Sequence, residues 1–169
     1  MRGTLDASVW CMRAGELCVR DVVTATAGEN VVEAARRMAE LHVGDLIVVD
    51  EPARGLPHPI GIVTDRDLVV RVLAHPERVP AKTKIAEVMR RDIVIATEDD
   101  DVESVVAKMR QHTIRRIPIV DTTGGLQGVL SVDDVLGWMR EQLQSATTLL
   151  ERQGVGPAQP ARGERGSRA

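Results

Sequence analysis

Gly61-Ile62-Val63-Thr64-Asp65-Arg66-Asp67-Leu68 is echoed downstream by Gly128-Val129-Leu130-Ser131-Val132-Asp133-Asp134-Val135. In each stretch a glycine opens an aliphatic run, a hydroxyl residue follows three places later, and an aspartate lies three beyond the hydroxyl. The order reads as strand, turn and helix start, because the aliphatic run suits a buried strand and Thr64 or Ser131 stands where a helix begins. Thr-x-x-Asp and Ser-x-x-Asp are also capping-box patterns, and one copy by itself calls for nothing more than a helix cap. Two copies in matched surroundings point further, to a grip for a sugar phosphate. The carboxylate would accept hydrogen bonds from ribose hydroxyls, and the hydroxyl with the helix N-terminus would meet the phosphate.

The surroundings do match. Upstream of the first copy, Val31, Ala34, Ala35 and Met38 fall at i, i+3, i+4 and i+7 behind an Asn30 cap, which predicts a helix with one buried stripe. Val102, Val105, Val106 and Met109 reproduce that stripe 71 residues later, behind Asp99-Asp100-Asp101. Glu33 and Arg37 are spaced for an i, i+4 ion pair on the solvated face. Leu46-Ile47-Val48-Val49-Asp50 and Ile117-Pro118-Ile119-Val120-Asp121 are short buried strands at the same offset, which falls to 67 at Gly61 and Gly128 because the first loop, Glu51 to Pro59, is longer. Strands are also expected at Asp21 to Thr26 and Ile93 to Thr97, a short helix from Asp67 to about Ala74, and a final helix after Asp134 through Trp138, Met139 and Leu143 to about Leu150. The fold class is therefore α/β (α+β), built from two β-α-β-β-α repeats. Units of about 60 residues are marginal alone, so the two should pack through their sheets. The division is a lead over 1–17, a first repeat over 18–75, a linker over 76–84, a second repeat over 85–143, and a helix end with a disordered tail over 144–169.

Composition excludes several classes. A formal net charge of -3, with no Phe or Tyr and only Trp10 and Trp138, offers neither a basic field nor stacking rings for nucleic acid. No apolar run approaches the roughly 18 residues of a membrane span and the start shows no signal-peptide core, so a cytoplasmic location is expected. Cys11 and Cys18 lack zinc spacing and read as reduced thiols, and no metal is expected. Nucleotide-binding glycine loops, nucleophile elbows and zinc-protease motifs are missing, and His42, His58, His75 and His112 are scattered, so no catalytic residue is assigned.

Two copies of this order, the second carrying Arg115-Arg116-Ile117-Pro118-Ile119-Val120-Asp121 before its hairpin, resemble a tandem pair of CBS (cystathionine β-synthase) domains over roughly residues 18–143. The resemblance implies a pseudo-two-fold module with two clefts between the repeats, commonly paired as a homodimer of parallel or antiparallel arrangement. It implies an adenine nucleotide as ligand, AMP first, with ADP, ATP, NAD or S-adenosylmethionine as alternatives, and a role as a metabolite or energy sensor in signal transduction. Carried over, the family pattern gives Thr64 and Ser131 to the phosphate, Asp67 and Asp134 to the ribose, and Arg115 and Arg116 to the phosphates, with Arg66 a further contact. The base would rest against Thr24 to Thr26 and Ile95 to Thr97, so that Thr26, Ile95 and Thr97 line it with Val43 and Ile114 nearby. The first repeat departs from the pattern with Gly44 and Asp45 where the second has Arg115 and Arg116, so the cleft near the arginines should bind more tightly. The competing reading is a structural dimerisation module with degenerate clefts, in which the arginines form ordinary surface ion pairs. Leu136, Met139, Leu143 and Leu150 leave an apolar stripe suited to a subunit contact.

Overall fold

The computed structural model describes residues 12–50 and 55–152. Helix α1 (Ala14–Leu17) leads into β1 (Thr24–Thr26), α2 (Val31–Leu41), β2 (Asp45–Asp50), β3 (His58–Thr64) and α3 (Asp65–Leu68), which continues as a π-turn over Val69–Leu73. The second set is α4 (Ile85–Val88), β4 (Ala96–Thr97), α5 (Val102–His112), β5 (Arg116–Val120), β6 (Leu126–Ser131) and α6 (Val132–Arg152). Each repeat forms a three-stranded sheet in which the first strand runs parallel to the central one and the third runs antiparallel. The predicted β-α-β-β-α order is therefore present twice.

Period-2 alternation explains how the central strand serves two cores. Leu46 and Val48 point into the core of their own repeat with Val31, Ala34, Met38 and Val63, whereas Ile47 and Val49 join Leu126 in a cluster with Val22, Ile62 and Val129. That second cluster draws residues from both repeats and is the apolar seam between them. Ala35 and Val106, expected in the helix stripes, are exposed, because a three-stranded sheet covers only a narrow face of each helix. Arg37 pairs with Glu29 at 2.7 Å and donates to the Thr24 carbonyl, so the Glu33 pairing is not made. The first strands are shorter than expected, three residues in β1 and two in β4. His58 and Pro59, expected in a loop, are in β3, where an edge position tolerates the proline. Trp10, Cys11 and the expected tail from Gln153 lie outside the described residues.

The short helices are exchanged. Ile85, Val88 and Met89 pack in the core of the first repeat, while Ala14 and Cys18 pack in the core of the second. Each repeat thus completes the other, and the backbone records the pseudo-symmetry. The bridges Arg13–Asp101 and Asn30–Lys84 exchange under the 71-residue offset, and Val19–Val129 maps onto Arg90–Ile62. Even the helix ends match: His42 and Thr113 adopt left-handed conformations (φ 54° and 55°) at the C-caps of α2 and α5. These caps turn the chain so that Val43 and Ile114 hydrogen-bond back to Met38 and Met109 and the central strands begin two residues on.

The glycine that opens each motif is required where the exchanged segments cross. A Cβ on Gly128 would lie 2.6 Å from Cys18 Sγ and 2.8 Å from the Val19 carbonyl oxygen, and one on Gly61 would lie 2.8 Å from the Arg90 carbonyl oxygen. Gly128→Ala is expected to cost ~1–3 kcal/mol, as overpacked sites do. Gly28→Ala, with open space around the position, serves as the control and should not destabilise; urea unfolding of both variants checks the difference.

The turn from β5 to β6 is closed by Asp121, whose carboxylate accepts from the Thr123 N–H (2.7 Å) and hydroxyl (2.6 Å), the Gly125 N–H (2.9 Å) and Gln127 Nε2 (3.0 Å). These donors, the Thr123 hydroxyl foremost, lower its pKa from 3.8 to about 2. The folded value lies below the unfolded one, so the contribution is complete above the ordinary value of 3.8 and is lost as pH falls through about 2. An NMR titration of the Asp121 carboxyl should find its midpoint well below that of a free aspartate.

Candidate functional site

The two motifs fold alike but do not end alike. In α6, Asp134 Oδ2 accepts from the Ser131 N–H (2.8 Å) and the Ser131 hydroxyl (2.6 Å), while Oδ1 has no hydrogen-bond partner among the described residues. In α3, Asp67 Oδ2 accepts from the Thr64 N–H (3.1 Å) and hydroxyl (2.7 Å) in the same way. Its Oδ1, however, faces Arg71 Nε and Arg90 Nε, each at 3.4 Å, and its side chain is only 4% exposed. Arg90 occupies the position that Val19 holds in the other repeat, so the crossing residue and Arg71 together close one grip while the other stays open.

The open grip faces a cleft of about 200 Å³ between the repeats. Ser131, Asp134 and Val129 form one wall, and Asp21, Val22 and Val23, just before β1, form another. Val43, Ile47, Asp45 and Arg116 reach it from the central strands and their approach. The volume is smaller than the ~300–1,000 Å³ of most small-molecule sites, so a nucleoside-sized occupant has to displace side chains at its mouth.

Arg116 is not free to do so without cost. Its guanidinium pairs with the Asp45 carboxylate, and the two residues are the first of β5 and β2, 71 positions apart. Because they are equivalent under the pseudo-two-fold, both approach its axis and meet. The sequence has Asp45 where the other repeat has Arg116, which made the two clefts unequal by expectation; the structure joins Asp45 to Arg116 in the same cleft, with 8% of the Asp45 side chain exposed. Arg115 is 76% exposed and sits 3.4 Å from Asp133, outside the cleft lining.

Of the predicted residues, Val43, Arg116, Ser131 and Asp134 meet at this cleft. Thr64 and Asp67 form the closed counterpart, and Arg66 is exposed on the first turn of α3. Thr26, at the end of β1, binds Glu29 through its N–H (2.7 Å), and Thr26, Ile95, Thr97 and Ile114 are not among the cleft-lining residues. The contributions of Asp21, Val22 and Ile47 were missed. No local pattern marks them, because they meet Val129 and the cleft only through the pairing of the two repeats.

Beyond Val135, α6 forms a separate unit whose groove is lined by Leu136, Met139, Arg140, Leu143, Gln144 and neighbouring threonines. Leu136, Met139, Leu143, Leu149 and Leu150 are all exposed there. No helix among the described residues is long and apolar enough to cross a membrane.

Comparison with known proteins agrees with this architecture. The CBS domain model matches residues 14–74 and 85–141. The Methanopyrus kandleri protein MK0525 is 37% identical over 122 residues, spanning 72% of this chain and 60% of its own length, so this chain spans less than two thirds of that relative. Bacillus subtilis YlbB is 38% identical over 120 residues, 71% of this chain and 77% of its own. Among solved structures, the CBS domain pair of protein MJ0100, in complex with 5′-methylthioadenosine and S-adenosyl-L-methionine, has a TM-score of 0.66 at 25% identity, covering 78% of this chain and 98% of that one. The cytosolic domain of the Mg2+ channel MgtE, in complex with ATP, has a TM-score of 0.62 at 30% identity, covering 74% and 48%. With two matched copies, exchanged helices and a cleft at their seam, this chain belongs to the CBS domain family as a tandem pair.

Proposed function

We propose that the chain is a regulatory module that binds an adenosine-containing ligand in the Ser131–Asp134 cleft and passes its occupancy to a protein partner. The observation that carries the reading is the open Asp134 carboxylate: one oxygen is held by Ser131, the other is available to ribose hydroxyls, and both repeats supply the surrounding wall. The adenosine-containing ligands bound in the MJ0100 and MgtE structures support the choice of ligand class. A ligand seated there touches both repeats and so favours one arrangement of the pair, and a partner responds only if it binds that arrangement differently. The module works in the cytoplasm without catalysis of its own. The exposed leucines of α6 support self-association as a homodimer, which sedimentation of Leu143→Asp against the parent chain tests.

A thermal-shift titration with AMP, ADP, ATP, NAD, S-adenosylmethionine and 5′-methylthioadenosine tests the ligand class. Ligand at about 100 times its dissociation constant should add ~2.7 kcal/mol of stability. No response to any of the six would favour a structural dimerisation module, and a changed nucleotide mass after incubation would show turnover instead.

A further inference from the structure

We infer that the Ser131–Asp134 cleft selects adenosine derivatives whose 5′ substituent is uncharged or cationic, and disfavours a 5′-phosphate. The inference rests on the adenosine reading above and concerns the chemistry next to the ribose. The charged groups lining the cleft are Asp21, Asp45, Asp134 and Arg116, three carboxylates against one guanidinium. That guanidinium is already committed: Arg116 pairs with Asp45, whose side chain is nearly buried and has no other charged partner among the described residues. A phosphate drawing on Arg116 would either leave the Asp45 carboxylate buried and unpaired or sit beside it as a second anion. The start of α6 does not offset this, because the favourable end of its dipole is already met by Asp133 and Asp134 in the first turn. Arg115, the other nearby cation, is turned to Asp133 and lies outside the lining. A thioether at the 5′ position brings no charge to this setting, and a sulfonium brings one of the sign that the Asp21 carboxylate in the lining attracts.

Isothermal titration of the full chain at pH 7.5 and 0.15 M salt, with 5′-methylthioadenosine, S-adenosylmethionine and AMP as probes, tests the inference. The expected result is binding of the first two at least tenfold tighter than AMP. Asp45→Asn, which keeps a polar side chain but frees the charge of Arg116, should shrink that gap at least fivefold, chiefly by improving AMP. Asp21→Asn leaves the Arg116 pair intact and should shrink the gap in the same direction, which guards against poor folding of the first variant. AMP binding as tightly as the thioether in the parent chain, or a gap unchanged in both variants, overturns the charge selection while leaving the adenosine reading standing. Binding of none of the three overturns both, so the two failures are distinguishable.

Discussion

Arg116→Ala is expected to destabilise the fold by ~3 kcal/mol, at the lower end of the cost of orphaning a buried charge because Arg116 itself is 39% exposed and water can reach the gap. The asymmetry of the pair makes the prediction specific. Removing the arginine strands a carboxylate whose side chain is 8% exposed, while removing the carboxylate lets the arginine swing toward solvent. Asp45→Asn should therefore cost only ~1 kcal/mol, and the double variant should be more stable than Arg116→Ala alone. Urea unfolding of the two single variants and the double variant closes the cycle. Equal losses for the two single changes, or a loss in the double variant equal to their sum, would mean that the pair is a solvated surface contact. The result also bears on ligand measurements. Weaker binding by Arg116→Ala would not by itself locate a phosphate, since the variant alters the seam before any ligand arrives.

The duplicated architecture was legible in the sequence because it rests on local chemistry: aliphatic runs for β2 and β5, the Asn30 cap for α2, and hydroxyl-to-aspartate caps at Thr64 and Ser131. What was not legible depends on the pseudo-two-fold itself. Four-residue helices such as α1 and α4 carry too few residues to show a period, so nothing local told that each would complete the other repeat's core. The Asp45–Arg116 pair follows from equivalence of positions 45 and 116, which places both near the axis. Arg90 is likewise invisible as a partner of Asp67 until the Ile62–Arg90 bridge is known. The paired motif thus marked two like hydroxyl-to-aspartate caps as local structures, while their difference lay in residues contributed from across the seam.

That difference sets the second large effect, in which the twin aspartates respond oppositely to the same substitution. Asp67 holds the Thr64 cap and two arginines, so Asp67→Ala should cost ~2–3 kcal/mol of stability through the lost cap and charge-assisted contacts. The loss stays below that of a stranded buried charge, because Arg71 and Arg90 are about half exposed and can turn to water. Asp134 holds only the Ser131 cap, and Asp134→Ala should cost ~1 kcal/mol. On the proposed reading the order reverses for ligand: Asp134→Ala should abolish the thermal shift, and Asp67→Ala should retain it at temperatures where the variant is folded. Arg90→Val, which copies Val19 at the equivalent crossing, should free Asp67 Oδ1 of one of its two arginines and allow a second ligand to bind, read as a rise in stoichiometry from one to two per chain in a titration. Equal stability losses at the two aspartates, or a ligand response lost with Asp67 and kept without Asp134, would show that the closed and open grips have been assigned the wrong way round.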